Sequence, residues 1–181
     1  MNQTMPEEKL FNNKVVFTSI ATGVSSAFLA IVANALSINV AWHAFWLGAA
    51  WTIAWQVTKK KRAVLLTALV MSLAFTANPV LTGNAAQEAL LLVSSALLFS
   101  AISALAKENT ITLLLAAGTS SAIIAPVMLL LVNTYTRELA TAALNFSATS
   151  FLAAAAGSLI ASLAWNKLRL QKRVIKFISS Y

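Results

Sequence analysis

The sequence predicts an all-α, polytopic membrane protein: six transmembrane helices in one bundle, with both termini cytoplasmic. Three observations carry that expectation. Six long apolar runs divide the chain, twelve of its thirteen Lys and Arg residues fall at alternate ends of those runs, and its mean hydropathy is +0.78. With 59% hydrophobic and 10% charged residues, the composition lies outside that of an ordinary water-soluble domain.

A helix needs about 20 apolar residues to cross the hydrocarbon core. The runs are Val15–Leu36, Val40–Val57, Ala63–Leu81, Ala85–Ala106, Thr110–Val132 and Ala142–Trp165, and Glu88 is the one Asp, Glu, Lys or Arg inside them. Continuous apolar runs favour helices over barrel strands, which alternate over about ten residues. Three parts follow: a cytoplasmic segment 1–14, a transmembrane domain 15–166 and a basic tail 167–181. The connections are short, so consecutive helices are expected to be antiparallel neighbours.

The first fourteen residues are polar and include Glu7 and Glu8. The run after them is longer than a secretion-signal core and has no clear small-residue cleavage site, so it is read as a retained first helix. Ser19, Gly23, Ser26, Ala30 and Ala33 recur along it at three- or four-residue intervals. Such a stripe lets another backbone approach closely, either within the bundle or on a partner subunit, with Gly23, Ala27 and Ala30 as the candidate docking residues.

The second helix holds four of the five Trp residues. Membrane-interface belts account for Trp42 and Trp55. Trp46 and Trp51 lie deeper, where they either pack against neighbours or line a cavity in which a planar solute stacks. His43, the only histidine, suits an interfacial position near the outer end.

Lys59, Lys60, Lys61 and Arg62 separate the second run from the third, Lys107 separates the fourth from the fifth, and Lys9 and Lys14 precede the first. Lys167, Arg169, Lys172, Arg173 and Lys176 follow the sixth, whereas the alternate connections hold Arg137 alone. Basic flanks stay cytoplasmic, which sets the orientation and places the chain in a bacterial inner membrane. The net charge of +8 is thereby explained without a nucleic-acid partner.

In the fifth run Gly118, Thr119, Ser120 and Ser121 precede Pro126. Proline lacks an N–H and crowds the carbonyl four residues back, so a kink is expected. The hydroxyls either line a solute site there or repair the helix. Asn34, Asn78 and Asn145 sit near outward helix ends, with Asn78–Pro79 reading as a terminus. Arg137 and Glu138 read as a solvated pair in an outer loop, and Glu108 and Asn109 as an inner turn. The sixth run is rich in Ala, Gly and Ser and reads as a packing helix. From Asn166 onward Leu168, Val174, Ile175 and Ile178 mingle with Lys and Arg, as suits a short amphipathic helix on the anionic cytoplasmic leaflet.

The solute-binding candidates are thus Trp46, Trp51, Asn34, Thr119, Ser120, Ser121 and Pro126. There is no Cys, and no phosphate-binding loop, metal cluster or nucleophile–base pair, so an enzyme, a metal or another cofactor is not expected. Apart from Glu88, the run interiors hold no carboxylate, Lys or Arg for ion coupling.

The segment Leu90 to Pro126, LLLVSSALLFSAISALAKENTITLLLAAGTSSAIIAP, resembles the membrane domain of the fusaric-acid-resistance and aromatic-acid-exporter family. The resemblance places Glu108 and Asn109 on a short polar turn, and Gly118 and Thr119 on the small-residue segment that follows. The third run lacks the glycines of that family, and the family's large cytoplasmic domain is not found. In architecture alone the chain is similar to the substrate-binding subunits of energy-coupling-factor vitamin transporters, whose first helix docks an energising partner. The expected function is a small membrane transport protein for a planar or amphipathic organic solute. The alternative is a non-catalytic subunit or assembly factor, held in a homo-oligomer or on a larger membrane complex.

Overall fold

A computed structural model describes residues 13–35, 40–76, 85–105, 109–124, 126–127 and 136–170, and among them it is all α, with six helices and no strand. They are α1 (Asn13–Ala35), α2 (Val40–Thr58), α3 (Lys61–Thr76), α4 (Ala85–Leu105), α5 (Thr110–Ala122) and α6 (Arg137–Leu170). α2, α4 and α5 begin at the first residue of their apolar runs, and α1 two residues ahead of its run. The others differ in ways that individual residues explain.

At the α2–α3 junction the helices are separated by Lys59 and Lys60 alone. Lys59 takes a left-handed conformation (φ 57°), and its N–H reaches Trp55 O at 2.7 Å, closing the last turn of α2. Thr58 Oγ1 accepts from Lys60 N at 3.2 Å. Lys61 and Arg62, expected in the connection, instead form the first turn of α3.

Of the expected run Thr110–Val132, Thr110–Ala122 form a 13-residue helix, and 128–132 lie outside the described residues. Asn109 caps its start, its side chain accepting from Ile111 N at 3.2 Å. The end follows from Pro126, which has no N–H to offer the Ala122 carbonyl. Helical bonding resumes one residue on, with Val127 N donating to Ile123 O at 3.1 Å.

At the other extreme, α6 runs for 34 residues and takes in positions expected in an outer loop and in a separate tail. Thr136 Oγ1 caps its start through Leu139 N at 3.2 Å, so Arg137 and Glu138 lie in its first turn. Lys167 and Arg169 continue its last turns, complementing the negative end of the helix dipole. Residues 166–170 are therefore a continuation of α6 and no separate amphipathic helix; 171–181 lie outside the described residues.

Helix directions follow from contacts that advance in step. Thr52 bonds Ser158 and Gln56 bonds Ser162, so α2 and α6 run the same way. Trp51 meets Ser95 and Trp55 meets Phe99, which aligns α4 with them. Ser19 Oγ donates to Ala63 O at 3.0 Å and Gly23 abuts Thr67 O and Val70, so α1 and α3 are parallel as well. The two-residue link reverses α3 against α2. The odd helices α1 and α3 thus run opposite to α2, α4 and α6.

α2 is the central helix, packing on α1, α3, α5 and α6, with its most extensive seam along α6. Glycine makes that seam possible: a Cβ on Gly48 would strike the Ala154 backbone, and one on Gly157 the Phe45 carbonyl. The interior is built of Ala, Ser and Thr around Trp51, Phe99 and Met71. The outside carries Phe17, Ile20, Val24 and Phe28 on α1, Leu69 and Leu73 on α3, Leu97 on α4, Leu115 on α5, and Leu152, Ile160 and Leu163 on α6.

Among the described residues two helices are long and apolar enough to cross a membrane, α1 over Asn13–Val32 (mean hydropathy 2.0) and α6 over Arg137–Arg169 (1.6), and Ala89–Leu105 and Thr110–Ala122 are shorter apolar stretches. Over the described residues α3 spans 16 residues and α5 13, about 24 and 20 Å, and the later parts of their apolar runs, 77–81 and 128–132, lie outside the described residues. α2 has the length but carries four Trp, His43 and Gln56, which lower its hydropathy.

Candidate functional site

The Trp residues of α2 separate into two environments. Near its start, Trp42 stacks on Phe45 with ring centroids 5.4 Å apart, and Trp46 stands perpendicular to both at 5.5 and 5.3 Å. The i, i+3, i+4 spacing brings the three rings together on one face. Trp42 is exposed, as an interfacial ring would be.

Further along, Trp51 is fully enclosed and its Nε1 donates to Ser95 Oγ at 3.2 Å. Its only donor is taken, which makes it a core residue. Trp55, expected in an interfacial belt, is 5% exposed and packs edge-to-face on Phe99 at 6.5 Å. α4 lies over it, so the belt reading is corrected.

Trp46 forms one wall of a groove of about 270 Å³ between α1 and α2. Ala21, Ser25 and Ser26 of α1 face Trp46, Ala49 and Ile53 of α2 across it. Helical periodicity explains both walls, since 21, 25 and 29 share one stripe of α1 and 46, 49 and 53 one stripe of α2. Small side chains on α1 leave the space, and the indole bounds it. The Trp46 Nε1 is shut off from solvent and has no hydrogen-bond partner among the described residues. The groove therefore presents the ring of Trp46 and not its N–H.

The other solute candidates do not converge on this groove. Ser120 Oγ donates to Ala117 O at 3.0 Å, within its own helix. Ser121 is fully buried, and its hydroxyl has no partner among the described residues. Thr119 is exposed on the stripe that carries Ile111, Leu115 and Ile123, and Pro126 is exposed beyond the end of α5. α5 does contact α2, but the groove is walled by α1. Asn34 lies in the last turn of α1, Asn145 is exposed on α6, and Asn78 falls outside the described residues.

The small-residue stripe of α1 is occupied inside the chain. Gly23 packs on Val70 and Thr67 of α3, and Ala27 and Ala30 are 2% and 3% exposed. A docking role for these three residues is corrected accordingly, because α3 fills the close approach that glycine permits.

The chain matches no protein-family model, no curated protein and no solved structure. Function is therefore argued from the geometry itself. The groove lining contains alanines, Leu29, Ile53, the indole of Trp46 and the hydroxyl residues Thr22, Ser25 and Ser26, with no charged side chain. It suits an uncharged organic body held by ring contact and one or two hydrogen bonds. No group of three His, Asp or Glu side chains gathers anywhere among the described residues.

Sequence reasoning missed the pairing of Trp46 with α1 and the polar ladder Thr52–Ser158, Gln56–Ser162. The ladder had a signal, namely hydroxyl and amide residues four apart in otherwise apolar runs.

Proposed function

We propose that the chain is an integral membrane protein, of the bacterial inner membrane, that binds and passes a small planar or amphipathic organic solute at the α1–α2 groove. The observation that carries the solute reading is the indole of Trp46 bounding a charge-free groove of about 270 Å³. Three features support the membrane reading. Large apolar side chains cover the outside while hydroxyls fill the inside, the reverse of a water-soluble domain. α1 and α3 run opposite to α2, α4 and α6, as alternate crossings must.

The third feature is charge. Because α1 parallels α3 and α2 parallels α6, the fold gathers Lys14, Lys59, Lys60, Lys61, Arg62, Lys167 and Arg169 at one end. Arg137 stands at the other. That asymmetry is what the positive-inside rule asks of a cytoplasmic face.

The test is equilibrium dialysis of nanodisc-embedded protein against a panel of neutral aromatic and amphipathic solutes, followed by counterflow in proteoliposomes. Saturable binding is expected for at least one solute. Trp46→Ala weakens it about tenfold, the effect of losing roughly 1.4 kcal/mol of ring contact. Ser120→Ala, altering a hydroxyl bonded to its own helix, leaves it unchanged. Binding indifferent to Trp46→Ala would overturn the assignment.

A further inference from the structure

We infer that the α1–α2 groove loads sideways from the bilayer and holds a free, neutral amphiphile whose hydroxyl or carbonyl is buried at mid-membrane depth. This rests on the membrane reading above. The mouth is defined by the exposed small residues Ala21 and Ser25. They lie on the outward part of α1, between Phe17 (64% exposed) and Phe28 (63%) and beside Ile20 and Val24. The groove thus opens onto the apolar surface of the bundle.

Depth selects the occupant. Ser25 and Ser26 sit at the centre of the 23-residue α1, hence near the bilayer midplane. A phospholipid keeps its ester groups about 15 Å away, at the edge of the hydrocarbon core. A polar group meeting these serines must therefore belong to a molecule able to bury it, such as a long-chain alcohol, ketone or quinone. With no charge in the lining, a carboxylate or ammonium would lose its hydration uncompensated. From Ala21 to Leu29 the groove is about 12 Å long.

Photolabelling in nanodiscs tests this with two probes, a diazirine-bearing long-chain alcohol and a diazirine-bearing phosphatidylcholine, adducts being mapped by mass spectrometry. The alcohol is expected to label Ala21–Leu29 and Ala49–Ile53 saturably, with unlabelled alcohol competing. Filling the mouth by Ser25→Leu, and independently by Ala21→Phe, should reduce that labelling at least fivefold; both sites are exposed, so the fold is retained. The phospholipid should label Phe17, Val24 and Phe28 without saturation. Equal groove labelling by the phospholipid, or alcohol labelling indifferent to both fillers, overturns the proposal while leaving the membrane reading intact. Failure of the phospholipid to label Phe17 and Phe28 removes the membrane reading and the proposal with it.

Discussion

Thr52 donates its hydroxyl to Ser158 Oγ at 2.7 Å across the α2–α6 seam, and one turn on Gln56 Nε2 donates to Ser162 Oγ at 2.9 Å. Both pairs are 106 residues apart, and the same offset carries Gly48 onto Ala154 one turn earlier. Glycine sets the distance and the hydroxyls set the register. Two helices far apart in sequence are thereby locked side by side.

The two rungs respond differently to mutation. Thr52→Val keeps the shape but leaves Ser158 without its donor, so it destabilises by about 0.6 to 1.7 kcal/mol, the span measured for such bonds in membranes. Gln56→Met also breaks a bond, but it removes a carboxamide Oε1 that is buried with no partner among the described residues. Those effects oppose, and a net change within about 0.5 kcal/mol is expected. Reversible unfolding in mixed micelles measures both, and a Thr52→Val/Ser158→Ala double-mutant cycle isolates the coupling.

The glycines rank by what their missing side chains would meet. Gly48→Ala and Gly157→Ala drive a methyl into backbone, which cannot swing aside, so the α2–α6 seam must open. Each should cost about 1–3 kcal/mol. Gly118→Ala meets the Phe151 ring at 2.7 Å, a side chain able to turn, and its effect is expected to be smaller. A Gly118→Ala protein less stable than Gly157→Ala would contradict this ordering.

The all-α class and the starts of α2, α4 and α5 were legible in the sequence because apolar runs and polar breaks are local signals. The extent of α6 was not, since Arg137 and Lys167 mark where a bilayer ends and not where a helix ends; nothing in Thr136–Leu170 breaks a helix. Trp46 was identified as a possible wall, but its partner was sought on α5 because Pro126 and the adjacent hydroxyls draw attention there. What placed α1 opposite Trp46 is tertiary: the small residues Ala21 and Ser25 resemble many others in this alanine- and serine-rich chain. In sequence Trp55 looks like an interfacial ring and Trp51 like a packed ring or a cavity wall, and only α4 lying over them makes both core.

Lys59 holds a backbone conformation that L-residues adopt at a penalty of about 1–2 kcal/mol. Lys59→Gly should therefore stabilise the protein by about 1 kcal/mol, and Lys59→Asn by less, because Asn tolerates this region only in part. Lys59→Val should destabilise. Thermal unfolding across the three variants checks the order, which charge loss alone does not produce, since all three remove the same charge.

Orientation gives the most direct check on how the helices meet a bilayer. The chain has no native cysteine, so single substitutions report without background. Lys60, in the α2–α3 link, and Lys167, in the last turn of α6, lie at the same end of the fold because those helices run in parallel. Arg137, at the start of α6, lies at the opposite end, since a 34-residue helix is about 51 Å long. In intact cells a membrane-impermeant maleimide should modify Arg137→Cys, leaving Lys60→Cys and Lys167→Cys unmodified until the membrane is permeabilised. Modification of Lys60→Cys and Arg137→Cys from the same side would mean that α2 to α6 do not alternate across the bilayer. Such a result would reduce the alternating helix directions to a packing pattern and remove the transmembrane reading of the two short helices, α3 and α5.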